Sequence, residues 1–292
     1  MMEIHQNFSP QRLVMQTIDE FASEVFDNRD QYQDVKYPVY VLSKGRAGAA
    51  KSMDNFEEAG LNPTVFVEAE EEQAYREHYK NVVVIPESGR GVTYVRNYIK
   101  QYSIEQGDPW HWQVDDNILD FRIRLDNKNV KHSCRNILAM AEYITDQYEN
   151  IGISGLTHTA FAFAKKNHVS INRQTYSCVL VNNSIPIKWT PDLPEDTDYS
   201  LQVLTRGLCT LSFDKLLIGK EVTKEGNGGN DNSHEWRLER AKRLQKKWPM
   251  ANFRFTYQYG RVKILPSRIW RQFPQRPTRH GQEDFFDQFL SG

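Results

Sequence analysis

The chain has 292 residues, 39% apolar and 26% charged, with a formal net charge of −1: enough apolar content for one large domain or two small ones. No apolar run approaches the roughly 18 residues that cross a bilayer, and Glu3 and His5 stand where a signal peptide carries a basic and then an apolar run. The cysteines, Cys134, Cys178 and Cys209, fit neither a disulfide framework nor the usual zinc spacings, so a soluble protein of a reducing compartment is expected.

A first helix is predicted over 9–26, with Ser9 as N-cap and Pro10 in the first turn. Leu13, Val14, Ile18, Phe21, Ala22, Val25 and Phe26 form its apolar face. Residues 28–36 read as a polar linker. Strands at 37–43, 64–68, 82–86 and 110–114 then alternate with helices at 49–59, 70–79 and 93–102. That spacing predicts βαβ units, a mostly parallel sheet and an α/β fold. Ligands of such sheets bind beyond the carboxyl ends of the strands. Three polar clusters fall there: Ser43-Lys44-Gly45-Arg46, Glu87-Ser88-Gly89-Arg90-Gly91 and Asp115-Asp116-Asn117.

After Asp116 the pattern loosens. A half-exposed strand is expected at 121–125, a helix capped by Ser133 to about 148, and short strands near 161–164, 178–181 and 185–189. The cluster Glu195-Asp196-Thr197-Asp198 leads into a helix through 204. Gly226-Asn227-Gly228-Gly229-Asn230 is a loop, 235–247 a basic helix, and Phe253, Phe255, Tyr257 and Tyr259 alternate as one face of a strand. From Trp236 to His280 thirteen Lys or Arg stand against Glu239 alone, a local charge of +12. With three carboxylates counted in the tail, residues 1–235 carry −10. Such a segment marks either a polyanionic partner or a tail folded against the acidic body.

Asp115 and Asp116 follow an aromatic, apolar run, and burying two like charges at a strand end is costly. Their hard oxygens suit Mg²⁺ or Mn²⁺ with substrate phosphates; the plainer alternative is a polar turn. Asp116 is the first candidate metal ligand, with Asp115 sharing the ion or holding a ribose. Lys44, Arg46, Arg90 and Arg96, with Ser43, are candidate contacts for a diphosphate or base. Gly45, Gly89 and Gly91 allow close backbone approach. The acidic residues at 195–198 also suit a helix N-terminus. In the basic segment Lys242, Arg243, Lys246, Lys247, Arg268 and Arg271 are candidate phosphate contacts, and Trp270 a stacking surface.

The order of these parts resembles the GT-A nucleotide-sugar glycosyltransferases, through Gly91-Val-Thr-Tyr-Val-Arg96-Asn97 and Asp115-Asp116-Asn117. More narrowly, Tyr40-Val-Leu-Ser-Lys-Gly-Arg46, Pro86-Glu-Ser-Gly-Arg-Gly91, Trp112-Gln-Val-Asp-Asp-Asn117 and Glu195-Asp-Thr-Asp198 look like the phage DNA glycosyltransferases of the TET/JBP-associated family. So does the glycine loop before His234. Asn117 stands where a third Asp is usual. The resemblance implies a GT-A-like core over 37–235, an N-terminal helical extension over 1–36 and a basic acceptor-binding segment over 236–292. It implies a donor sugar on a nucleotide, UDP by expectation, and Mn²⁺ or Mg²⁺ held by Asp115, Asp116 and His234. Asp196 or Asp198, beside Glu195, would take the acceptor proton. The acceptor would be double-stranded DNA bearing 5-hydroxymethylcytosine or 5-hydroxymethyluracil, in the cytoplasm of a phage-infected cell. A protein or polysaccharide acceptor, a metal-dependent nucleotidyltransferase and a nucleic-acid-binding module without turnover are the alternatives.

Overall fold

The computed structural model describes residues 16–220, 234–251, 254–258, 261–265 and 269–280. In chain order the elements are α1 Ile18–Asp27, β1 Val39–Leu42, α2 Lys51–Glu58, β2 Thr64–Val67, α3 Glu72–Arg76, β3 Val82–Val84, α4 Val92–Glu105, β4 Trp110–Asp115, β5 Ile118–Leu125 and β6 Lys128–Lys131. There follow α5 Cys134–Thr145, β7 Ile151–His158, α6 Thr159–Ala162, β8 Val169–Ile171, β9 Cys178–Asn182, α7 Glu195–Leu204, β10 Cys209–Lys220, α8 His234–Lys247, β11 Arg254–Gln258 and β12 Arg261–Leu265. Among the described residues no helix is long and apolar enough to cross a membrane.

One sheet runs β3-β2-β1-β4-β9-β7-β10-β5-β6, with β8 beside β10. Strands β3, β2, β1 and β4 are parallel, the α/β half expected from the alternation of strands and helices. Their Val-rich runs suit a sheet covered on both faces. Strand β9 is antiparallel to β4 and β7, while β10 runs parallel to β7 and antiparallel to β5. As side chains alternate along a strand, Val39, Val41, Trp112 and Val114 face α1, α2, α3 and α5. Tyr40 and Phe66 instead pack with Ile99 of α4. Val179 and Val181 pack with Tyr199 and Val203 of α7. The β5–β6 hairpin turns on Asp126 and Asn127, both at positive φ (45° and 63°), as a two-residue turn matched to strand twist requires.

Two short strands expected at 161–164 and 185–189 do not form. The first region is the end of α6, and the second runs over the sheet without pairing. Strands β7 and β10 were not foreseen. Helix α1 starts at a capping box, Thr17 with Glu20; residues 9–15 of the expected helix, with Ser9, Pro10, Leu13 and Val14, lie outside the described residues, as do 226–230, Phe253 and Tyr259. A Cβ at Gly152 of β7 would lie 2.5 Å from Val203 Cγ1, so α7 rests directly on the strand only because that side chain is missing.

The two halves are tied at Glu142 of α5. Its carboxylate accepts from the Lys36 and Tyr37 amides (2.7 and 3.4 Å) and from Trp112 Nε1 (2.7 Å). Burial pushes the Glu142 pKa up to about 7. Glu142→Ala leaves three donors without an acceptor and should cost about 2 to 4 kcal/mol in urea denaturation. Because the folded carboxyl binds its proton more tightly than the ordinary 4.5, the stability of the native chain relative to Glu142→Gln should decline as pH rises from 4.5 to about 7 and then level off. A difference independent of pH would contradict this.

Candidate active site at the carboxyl edge of the sheet

Asp115, the last residue of β4, lies on the same strand face as His111 and Gln113, and so faces α4. Its Oδ1 accepts from Arg96 of α4 (2.9 Å) and its Oδ2 from Lys220 at the end of β10 (2.5 Å). Gln113 steadies the arginine: its Oε1 accepts from the guanidinium (3.4 Å) and its Nε2 donates to the Arg96 carbonyl (2.9 Å). Lys220 also donates to Ser177 Oγ (3.0 Å), which lies 3.2 Å from His158 Nε2 at the end of β7. The ends of β4, β7 and β10 and the start of β9 thus meet at one place. Burial would raise the Asp115 pKa, but the Lys220 and Arg96 charges outweigh it and hold the carboxyl at about 2. Burial, then the Lys220 charge, lowers His158 to about 4 and keeps it neutral.

Asp116 points to the other side. Its oxygens accept from Arg46 (2.5 Å) and from Ser43 Oγ (2.7 Å), and Ser43 also meets the Tyr75 hydroxyl (2.6 Å). Burial leads in raising its pKa, with Ser43 and Arg46 opposing. The other predicted donor contacts gather around carboxylates. Lys44 pairs with Glu68 (2.6 Å), the Gly45 amide donates to Glu71 (2.6 Å), and the Gly89 amide donates to Glu68 (2.9 Å). Gly45 and Gly89 have φ of 69° and 72°, the left-handed region glycine adopts without strain. Gly91 caps α4. Arg90 stands apart on the surface, paired with Glu87 and lying over the Tyr94 ring.

The paired carboxylates were expected to hold a divalent ion. Their four oxygens are already engaged by Arg96, Lys220, Arg46 and Ser43, and no three metal-ligating side chains gather among the described residues. As arranged, the pair does not fit a divalent ion unless one of these cations withdraws. The side chain of His234, the third expected ligand, lies outside the described residues.

Glu195 and Asp196 open α7 beside this edge. Glu195 pairs with Arg240 of α8 (2.5 Å). The half-buried Asp196 carboxylate accepts no hydrogen bond among the described residues. Burial and the neighbouring Glu195 charge push its pKa well above the ordinary carboxylate range, against the pull of Arg96 and Lys220. Asp198, the other expected proton acceptor, sits two residues on and so on the opposite helix face. It is fully buried and accepts from Lys247 (2.7 Å), Trp248 Nε1 (2.7 Å) and Gln202 (2.8 Å), which makes it a clamp between α7 and α8 rather than a base.

The basic helix spends part of its charge on this clamp: Arg240 and Lys247 as above, and Arg243 on Asp192 and Glu239. Lys242, Lys246 and Arg271 remain exposed. Trp270, expected as a stacking surface, is buried with Leu193, Leu201, Leu204, Leu244 and Ile269 and presents no free face. Arg268 lies outside the described residues. Lys220, Ser177, His158 and Gln113 were not singled out from the sequence.

Over residues 37–229, more than half of its length, the sequence matches the model of the TET-Associated Glycosyltransferase family, and the chain belongs to that family. It is therefore a glycosyltransferase, and the family implies a nucleotide-sugar donor. No curated protein sequence matches the chain. A solved structure of CMP:2-keto-3-deoxy-manno-octonic acid synthetase complexed with CTP is similar over 73% of this chain and 99% of that one, at 12% identity and a TM-score of 0.38.

The occupied oxygens lead to a measurable outcome. Calorimetric titration with MnCl₂ alone should give no resolvable heat for the native chain. Lys220→Ala, which frees Oδ2 of Asp115, should take up the ion. Equal uptake by both would show that Lys220 does not guard this carboxylate.

Proposed function

Starting from membership of this glycosyltransferase family, we propose that the chain transfers a sugar from a UDP-linked donor to the hydroxyl of 5-hydroxymethylcytosine or 5-hydroxymethyluracil in phage DNA, within the infected cell. The observation that carries the reading is Asp196: a carboxylate with no hydrogen-bonding partner among the described residues and a raised proton affinity, next to the Asp115–Arg96–Lys220 group. In this reading Asp196 takes the hydroxyl proton as the acceptor oxygen bonds to the anomeric carbon and the bond from that carbon to the diphosphate breaks. A base whose pKa lies near the working pH suits this task. The departing negative charge falls beside Lys44, Arg46 and the Gly45 and Gly89 amides, whose present partners Glu68, Glu71 and, for Arg46, Asp116 are themselves anions.

The basic segment over 236–292 supports a DNA acceptor. Lys242, Lys246 and Arg271 offer exposed charge after the α7 contacts are made, and binding through them would weaken with salt. We assign 37–235 as the catalytic core and 1–36 as an extension, with Phe21, Ala22, Val25 and Phe26 of α1 packed into the main core.

Purified protein with labelled UDP-sugars should label hydroxymethylated DNA and leave unmodified DNA, peptides and free glycans unlabelled. Labelling of a peptide or glycan instead would overturn the acceptor assignment. Asp196→Asn should lower kcat by about 10² to 10⁴-fold. Since the Asp196 pKa is raised, the native rate should climb as pH rises past the ordinary carboxylate range, and this limb should be lost in Asp196→Asn. Charge reversal by Lys242→Glu with Lys246→Glu should advance elution from a DNA column at low salt.

A further inference from the structure

The two most exposed large apolar side chains among the described residues are Phe161 and Phe163, at 52% and 76%. They lie in and just after α6, on Thr159-Ala-Phe-Ala-Phe-Ala164, a stretch whose other side chains are small, followed at once by Lys165 and Lys166. Exposed aromatics cost solvation without stabilising the fold, so a pair in one short segment calls for an occupant.

Their position names the region they serve. The His158 and Phe161 rings are nearly parallel (6.0 Å, 25°), and Tyr176 sets its edge against both, at 4.7 Å from His158 and 6.3 Å from Phe161. His158 reaches Ser177, Ser177 reaches Lys220, and Lys220 reaches Asp115, at 3.2, 3.0 and 2.5 Å. Burial, then the charges of Asp196 and Asp214, push the Tyr176 hydroxyl pKa up. The aromatic group is therefore continuous with the edge that carries Asp115. Lys165 is held by Asp214 (2.8 Å), which leaves Lys166 as the exposed cation next to the rings.

We propose that Phe161 forms the acceptor subsite, a stacking surface for one unstacked nucleobase of the acceptor strand, with Lys166 on the adjoining phosphate. This rests on the DNA-acceptor reading above. A flat heteroaromatic ring extends the parallel His158–Phe161 pair, and a base out of its own stack presents the target hydroxyl toward the edge that carries Asp115. Every base has such a face, so the surface binds without choosing sequence, each stacked base contributing enough for about a ten- to hundredfold change in affinity.

The test uses short single-stranded and duplex oligonucleotides carrying 5-hydroxymethylcytosine with 2-aminopurine as its neighbour. The full chain should bind them and brighten the 2-aminopurine as stacking is lost. Phe161→Ala should weaken binding ten- to hundredfold and remove the fluorescence change. Phe161→Trp should retain both, and thermal melting of each variant reports whether the fold is kept. Lys166→Ala should weaken binding and reduce its salt dependence. The proposal is overturned if the native chain binds no oligonucleotide, or if the folded Phe161→Ala variant binds and brightens like the native chain. Binding and unstacking without sugar transfer would uphold the subsite and defeat the acceptor chemistry, so the two failures are distinguishable.

Discussion

A carboxylate taken out of water must be matched in charge, and Asp115 is matched from two directions. Arg96 comes from the helix beneath the first half of the sheet and Lys220 from the far end of its longest strand. Removing one partner of such a buried pair typically costs about 3 to 5 kcal/mol, because a bare charge is left behind. The site and the joining of the sheet's halves are therefore one problem. Strand β10 has to end where its lysine meets β4, and its pairing with β7 and β5 has to deliver it there. Gln113 extends the arrangement inward by fixing the arginine that fixes the aspartate.

How much of this was legible depended on how local each signal was. Strands β1 to β4 stood out because β-branched runs alternated with helical stretches. Strands β7 and β10 were hidden for the opposite reason. Nearly every residue in them is buried, so neither shows the two-residue alternation that marks a half-exposed strand, and Gly152 and Gly155 break the β-branched run in β7. The Phe-Ala-Phe-Ala sequence around 161 has that alternation but forms a helical turn, with its rings left in solvent. The pattern was real and the burial assumed from it was not.

At the site, Asp115, Asp116 and Arg96 were legible as motif residues. Lys220 was not, since it meets Asp115 across 105 positions of sequence and nothing beside it points there. The cluster at 195–198 misled in a different way. Once the helix is known to begin at Glu195, a turn of about 100° per residue separates Asp196 from Asp198, sending one to the cleft and the other to α8. The two readings of the basic segment also turn out to be compatible. Arg240, Arg243 and Lys247 are spent on the acidic stretch from Asp192 to Asp198, while Lys242 and Lys246 point outward. Trp270 looked exposed because arginines surround it in sequence, yet the ring is part of what seals α8 to α7.

Helix α7 is therefore shared property. It is seated on β7 at Gly152, with Asp196 on one side and, through Asp198, a grip on Lys247 and Trp248 on the other. A load applied to α8 from outside has a direct mechanical route to the attitude of the Asp196 carboxylate, much as pressing one arm of a rocker moves the other. With Asp196 as the base proposed above, substitutions meant to retune what α8 touches would also shift the reaction rate, and grafting a foreign basic helix would need a new counterweight for Asp198.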